Sequence, residues 1–209
     1  RWLDERFTAG LDSGTSRLLL PGIAFTRTRS RGGIDPYRGD RQTYSIEVAA
    51  RDLLSDLDIA RLRLSNTWLR SLGERNRFQL RADVGAIATN DFDQTPTSLR
   101  FFAGGDQSVR GFAYNSLGPR DASGDVTGGR YLATGSFEYS YKVLGNWRLA
   151  TFVDAGNAYD RPGEFDPAVG TGFGVRWSSP VGPLRLDFAW GVSRDDIPFR
   201  LHISVGPPF

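Results

Sequence analysis

Arg130-Tyr131-Leu132-Ala133-Thr134-Gly135-Ser136-Phe137-Glu138-Tyr139-Ser140-Tyr141-Lys142-Val143 alternates between two kinds of side chain. Tyr131, Ala133, Gly135, Phe137, Tyr139, Tyr141 and Val143 form one set. Leu132, Thr134, Ser136, Glu138, Ser140 and Lys142 form the other. A strand sends successive side chains to opposite faces, so this segment predicts one apolar wall and one mostly polar wall. The same period of two recurs. Leu184, Leu186, Phe188 and Trp190 alternate with Arg185, Asp187, Ala189 and Gly191. Leu201, Ile203 and Val205 alternate with Arg200, His202 and Ser204. Phe78, Leu80, Ala82, Val84 and Ala86 alternate with Gln79, Arg81, Asp83, Gly85 and Ile87.

Working outward from 130–143, ten strands are expected, near 1–10, 17–29, 42–52, 58–71, 75–89, 130–143, 146–157, 168–178, 183–193 and 198–206. The second is poorly phased, because Leu18, Leu19 and Leu20 run together before Pro21. No segment holds a helical period over several turns; Asp52 to Asp58 is read as one brief helical turn at most. Two architectures alternate in this way: a soluble antiparallel sandwich and a transmembrane barrel. Expected strands of 10–14 residues exceed the roughly 5–6 of globular sheets and suit a tilted membrane crossing of about 9–11. Charged Arg81, Asp83, Glu138, Arg176, Arg185 and Asp187 fall near mid-strand on the polar faces, where they can pair across a lumen. The reading is therefore all-β, an antiparallel transmembrane β-barrel. Short connections (Leu144-Gly145, Pro180 to Gly182) alternate with longer polar ones (Asn157 to Ala168, Ser193 to Pro198), as outer-membrane barrels require. Ser30 to Arg41 breaks that rule, being long on the short-turn rim.

Composition agrees. The chain has 209 residues, 25 of them Gly, with 12% aromatics, and neither Cys nor Met. No apolar run approaches the roughly 20 residues of a membrane helix. A mean hydropathy of -0.36 is compatible with a barrel, whose two wall faces average out. Lys142 is the only lysine among 26 basic residues, and arginine is the better partner inside a carboxylate network. Basic and acidic residues are interleaved, so no nucleic-acid surface is expected. The sole His, His202, lacks nearby Cys, so no metal and no cofactor are expected. Gly-x-Ser-x-Gly is absent and no enzyme is read. Gly170-Thr171-Gly172-Phe173-Gly174 superficially looks like a nucleotide loop, but no helix follows; crowding between strands is the simpler account.

The long polar segment 90–129 carries Gly104-Gly105-Asp106-Gln107-Ser108-Val109-Arg110-Gly111-Phe112. Taken alone, Arg110 is an ordinary solvated loop residue. This stretch nevertheless resembles the Val/Ile-Arg-Gly-Phe/Tyr motif of the Omp85 superfamily of outer-membrane barrels. Phe101 to Asp106, Thr134 to Tyr139, Phe152 to Gly156, Gly172 to Ala189 and the ending Gly206-Pro207-Pro208-Phe209 resemble the same family in order, most closely its TamA branch. The resemblance implies a C-terminal barrel portion over 1–209, like the last ten of sixteen strands, with POTRA domains and the first strands absent. It implies that loop 90–129 folds into the lumen, where Val109, Arg110, Gly111 and Phe112 dock and Arg110 meets Glu138 and Asp154. By alternation both acids fall on lumen faces, although Asp154-Ala155-Gly156-Asn157 also suits a simple turn. Ile203, Ser204, Gly206, Pro207 and Phe209 would form a weak closing-strand seam and terminal insertion signal. Pro207 has no N–H for a ladder, and Phe209 equally suits an interfacial girdle. Ser204 stands where related insertases have a kink glycine.

The implied function is assembly of outer-membrane proteins in the bacterial outer membrane. Implied partners are the lipid bilayer, client β-barrel or autotransporter proteins, and a TamB-like periplasm-spanning protein. A two-partner-type polypeptide secretion channel and the barrel of an enzyme-linked Omp85 protein stay open as alternatives.

Overall fold

The computed structural model describes residues 1–9, 12–33, 35–180 and 182–206. Eleven strands are formed: β1 (Trp2–Ala9), β2 (Asp12–Leu19), β3 (Gly22–Arg31), β4 (Arg38–Ala49), β5 (Ile59–Leu72), β6 (Asn76–Thr89), β7 (Tyr131–Leu144), β8 (Trp147–Tyr159), β9 (Ala168–Ser179), β10 (Gly182–Gly191) and β11 (Phe199–Val205). β3 to β11 make one nine-stranded antiparallel meander in sequence order, and among the described residues β1 and β2 pair with each other as a separate two-stranded sheet. Among the described residues the sheet is open, with β3 and β11 as its edges.

The expected strand over 17–29 is two strands. Pro21 supplies no N–H, and the chain changes sheets at Leu20-Pro21. β1 and β2 pair antiparallel, Trp2 opposite Leu19, instead of forming a tenth wall strand. The expected long connection Ser30 to Arg41 is also corrected. β3 and β4 pair out to Arg31 opposite Arg38, leaving a short turn at 32–37. The helical turn read over Asp52 to Asp58 is a single 3-10 turn at Arg51–Leu53. Among the described residues no helix is long and apolar enough to cross a membrane, which says nothing of crossing by strands.

The two faces of the sheet are inverted relative to a soluble fold. Leu62, Leu80, Phe137, Leu149, Val153, Phe173, Leu201 and Ile203 point outward and are exposed. Stacked and tilted rings line that outer surface near the short turns, with Trp147 and Trp177 centroids 5.2 Å apart and Phe78 and Tyr139 5.3 Å apart. Amphipathic rings of this kind belong at a membrane interface. The ends of β3, β5, β7 and β9 that lead to short connections lie at this rim. Connections 50–58, 90–130, 160–167 and 192–198 lie at the other, so by the outer-membrane pattern the first rim is periplasmic.

The hydrophobic core lies inside the curved sheet, at the long-loop end. Leu18, Leu20, Leu57, Ile59, Ile87, Leu99, Phe101, Val109, Phe112, Leu117 and Leu132 form one buried cluster. Here the 90–130 loop and the β1–β2 hairpin close over lumen-facing apolar residues. Loop and hairpin are tied by Ser98 Oγ donating to Glu5 (2.5 Å) and Ser16 Oγ donating to the Gln94 carbonyl (2.9 Å).

At the short-turn rim, the carboxylate of Asp35 in turn 32–37 reaches inward to Arg77 (2.6 Å) and Arg148 (3.4 Å). Partial burial would raise the Asp35 pKa, but the bonds and charges of Arg77 and Arg148 outweigh it and hold it below the ordinary 3.8. The clamp is therefore complete above pH 3.8 and is lost as pH falls through the lower folded value. Relative to the intrinsic amide rate at each pH, hydrogen exchange in the β3–β4 connection is expected to lose protection on acidification below pH 3.8. Asp35→Asn should lack that protection at every pH; equal pH dependence in both proteins would contradict the clamp.

Candidate functional site: an arginine held in the lumen

Within loop 90–130, two-residue bridges pair Phe101 with Gly129 and Ala103 with Leu117. Arg100 staples the loop from inside, its guanidinium donating to the carbonyls of Thr95, Phe92, Asp93 and Thr127. The loop is thus a built plug, and Val109 to Phe112 sit at its deepest point. Val109 and Phe112 are buried among apolar residues. Gly111 has φ +93°, and a Cβ there would meet the backbone of Trp190 and Gly191. Both the left-handed backbone and the close approach require glycine.

Arg110 is enclosed, with 1% side-chain exposure, and Asp154 with 0%. Its Nε and Nη2 donate to the two oxygens of Asp154 at 2.7 and 2.9 Å, and its backbone N–H donates to Asp154 Oδ2 at 3.0 Å. Nη1 donates to Glu138 Oε2 at 2.9 Å and to Asp187 Oδ2 at 3.3 Å. Nη2 also donates to Ser136 Oγ at 3.3 Å. The guanidinium stacks 3.4 Å from the Phe152 ring centroid, a cation–π contact favoured by desolvation.

Two wall arginines complete the network. Arg176 binds Glu138 by a two-point bond (2.9 and 2.8 Å) and approaches Asp187 Oδ1 at 2.6 Å, an ion pair without hydrogen-bond alignment. Arg185 donates to Glu138 Oε2 at 3.2 Å. Three guanidiniums (Arg110, Arg176, Arg185) thus face three carboxylates (Glu138, Asp154, Asp187), and buried charge is tolerated in such balanced, hydrogen-bonded sets. Burial alone would lower the Arg110 pKa; Asp154, Glu138 and Asp187 hold it above the ordinary value. Arg81, also in the lumen, donates to the Asp106 carbonyl and to Ser136 Oγ at 3.3 Å each.

The motif touches five consecutive strands. Beyond β7 and β8, a Cβ at Gly170 on β9 would overlap the Arg110 carbonyl oxygen, and Gly191 on β10 lies against the Phe112 ring. The Gly111 N–H donates to His202 Nε2 on β11 at 3.3 Å. The crowding expected around Gly170 thus comes from the loop. At Gly172 and Gly174 it does come from the neighbouring strand, at the Phe188 and Leu186 carbonyls.

The structure brings Val109, Arg110, Gly111, Phe112, Glu138 and Asp154 together. Ile203 and Ser204 lie elsewhere, on β11, and Gly206 follows it, its N–H donating to the Pro183 carbonyl at 2.8 Å. Pro207 and Phe209 lie outside the described residues. The site expected from sequence omitted Asp187, Arg176 and Arg185 as Arg110 neighbours, along with Ser136, Phe152 and His202. Their lumen phase was legible in the alternation; their level along the strands was not.

An outward apolar sheet whose lumen is plugged by its own arginine-locked loop defines a class: outer-membrane barrels of the loop-in-lumen type. The Omp85 superfamily domain matches residues 5–209, and the chain belongs to that superfamily. It is similar to the outer membrane protein assembly factor BamA of Nitratidesulfovibrio vulgaris, 36% identical over 119 residues, covering 54% of this chain and 15% of the relative. BamA of Neisseria meningitidis serogroup B is 25% identical over 242 residues, 97% of this chain and 30% of the relative. A SAM50-like protein of Schizosaccharomyces pombe is 27% identical over 202 residues, 85% of this chain and 41% of the relative. The crystal structure of BamA from Haemophilus ducreyi lacking POTRA domains 1-3 shares the fold, with TM-score 0.77 and 19% identity, over 92% of this chain and 42% of that one. The chain spans less than half the length of each. It is a β-barrel protein of the bacterial outer membrane.

Proposed function

We propose that this chain is the barrel portion of a factor that inserts other β-barrel proteins into the outer membrane. The observation that carries the reading is the edge strand β11. It has seven residues against the 12–14 of β4 to β9, and in the described structure it pairs only with β10. A short edge offers backbone N–H and C=O groups that a client strand can satisfy by augmentation. The lumen network supports the same reading, because the loop motif spans β7 to β11 and reaches that edge through His202. The wall stays rigid while the edge stays short. The relatives named as assembly factors agree. No covalent step is needed, so the activity is read as non-enzymatic. Autotransporter clients and a TamB-like periplasmic partner belong to the finer reading, which rests on the TamA-like motifs.

The test is site-specific photo-crosslinking in cells making the complete protein. A benzophenone side chain at Ser204 is expected to capture nascent β-barrel clients, and one at Phe137, on the outer face of β7, is not. Equal capture at both positions, or none at Ser204 while clients still assemble, would overturn the seam reading.

A further inference from the structure

The outward face of the sheet is not apolar throughout. On β6, β7 and β8 it is apolar or aromatic almost to the short turns: Phe78, Tyr141, Val143, Trp147 and Leu149. On β3 to β5 the same face near the short-turn rim carries Arg27, Arg29, Arg31, Arg38, Asp40, Gln42 and Arg70, with Trp68 and Leu72 of β5 beside them. On β3 and β4 apolar residues begin only at Phe25 and Tyr44. The register aligns Arg31 with Arg38 and Arg38 with Arg70, one arginine row across three strands. It also sets Arg29 beside Asp40. Asp40 is the only acid of the patch, and its ion pair is with Arg70, at 3.9 Å. Among the described residues Arg27, Arg29, Arg31 and Arg38 make no side-chain hydrogen bond or ion pair; Arg29, Arg31 and Arg38 are exposed and Arg27 is half-buried.

Two physical facts make this arrangement unfavourable unless something anionic covers it. Like charges directly opposite on neighbouring strands repel. Arginine on the lipid face of a barrel is also penalised, increasingly so with depth. Nor does the patch hang below the membrane. The β3–β4 turn is level with the neighbouring short turns, since Asp35 binds Arg77 at the start of β6 and Arg148 at the start of β8. The Ser71 N–H, near the end of β5, donates to the Tyr37 carbonyl at 2.8 Å. The arginines therefore begin at the rim and rise about 10 Å into the height that rings on β6 to β9 assign to the membrane interface.

We infer that the arginine row on the outer face of β3, β4 and β5 is a binding site for anionic phospholipid headgroups of the periplasmic leaflet. A headgroup phosphate accepts two-point bonds from guanidinium groups. One phosphate placed between Arg31 and Arg38 would turn their repulsion into attraction, and Trp68, on the same face beside Asp40, would lie against the glycerol region. The site stands apart from the loop network and from the β11 edge, and it depends on the barrel's membrane seating, not on its assembly function.

The test uses the complete protein carrying this chain, in nanodiscs of phosphatidylcholine with a minor fraction of phosphatidylglycerol. After release into mild detergent, native mass spectrometry counts the lipids retained. Phosphatidylglycerol is expected to be retained preferentially, and Arg29→Gln, Arg31→Gln and Arg38→Gln combined should reduce that preference roughly tenfold or more. The same positions changed to Lys keep the charge and should keep most of the preference. Arg161→Gln with Arg194→Gln, at the opposite rim, should leave it intact. Heat-dependent gel mobility reports folding. Should the triple Gln variant not fold, salt decides with the wild type: the preference must fall as salt rises. Unchanged phosphatidylglycerol retention in a folded triple variant, or a preference indifferent to salt, would overturn the site. So would loss from the triple variant of a co-purifying acidic protein with lipid retention unaltered; the patch would then be a protein-docking surface.

Discussion

Arg110→Ala is expected to release the loop from the lumen. The side-chain hydrogen bonds that Asp154 accepts in the network come from Arg110, so the substitution strips an enclosed carboxylate of its ion-pair partner. Removing one partner of a buried pair typically costs about 3–5 kcal/mol, more than a surface loop can absorb. Glu138 keeps Arg176 and Arg185, so the wall itself should survive. The expected result is a folded, heat-modifiable barrel whose segment 90–129 is cut by protease where the wild type resists. Arg110→Lys should fall between the two, because an ammonium supplies charge but not the paired Nε and Nη2 geometry. An Arg110→Ala protein as resistant as wild type would show that the apolar plug alone holds the loop.

Gly170→Val is expected to have a comparable effect with every charge left in place. The lumen face of β9 is bare at Gly170, and the Arg110 carbonyl occupies that space. A side chain there must push the motif off the wall or distort β9, and overpacking of this kind usually costs about 1–3 kcal/mol, sometimes more. Movement of Arg110 by even one ångström would stretch the two-point bond to Asp154 beyond useful hydrogen-bond range. Protease access to the loop should rise, and the Arg110→Ala/Gly170→Val double variant should be little worse than either alone, since both remove the same contact. Full additivity would mean that Gly170 acts through the sheet and not through the loop.

Much of this was legible because a barrel wall writes its period into the sequence. β7, β9 and β10 alternate cleanly, and their lumen residues are those the alternation assigns. β3 was obscured. Its outward Arg27, Arg29 and Arg31 carry the period plainly, but Leu18 to Leu20 precede them, and reading across Pro21 merged a hairpin strand with a wall strand. Alternation fixes the face a residue occupies; it says nothing about height. Glu138 and Asp154 came from the motif resemblance. Asp187, Arg176 and Arg185 share their face, yet only the register of β9 and β10 brings them level with Arg110. The interior of the loop was least legible. Arg100 is held by four backbone carbonyls, a role with no periodic or compositional signature. Isolated bridges, such as Phe101 with Gly129, are non-local pairings that neighbouring residues do not announce.

The most direct measurement of the lumen anchor is hydrogen exchange at the Arg110 amide, which donates to an enclosed carboxylate oxygen at 3.0 Å. In the complete folded protein in detergent, the peptide covering 104–117 should exchange as slowly as the strands β7 and β8 that hold it, over hours. Exchange within seconds, at the rate of the exposed 160–167 connection, would contradict a loop locked inside the barrel.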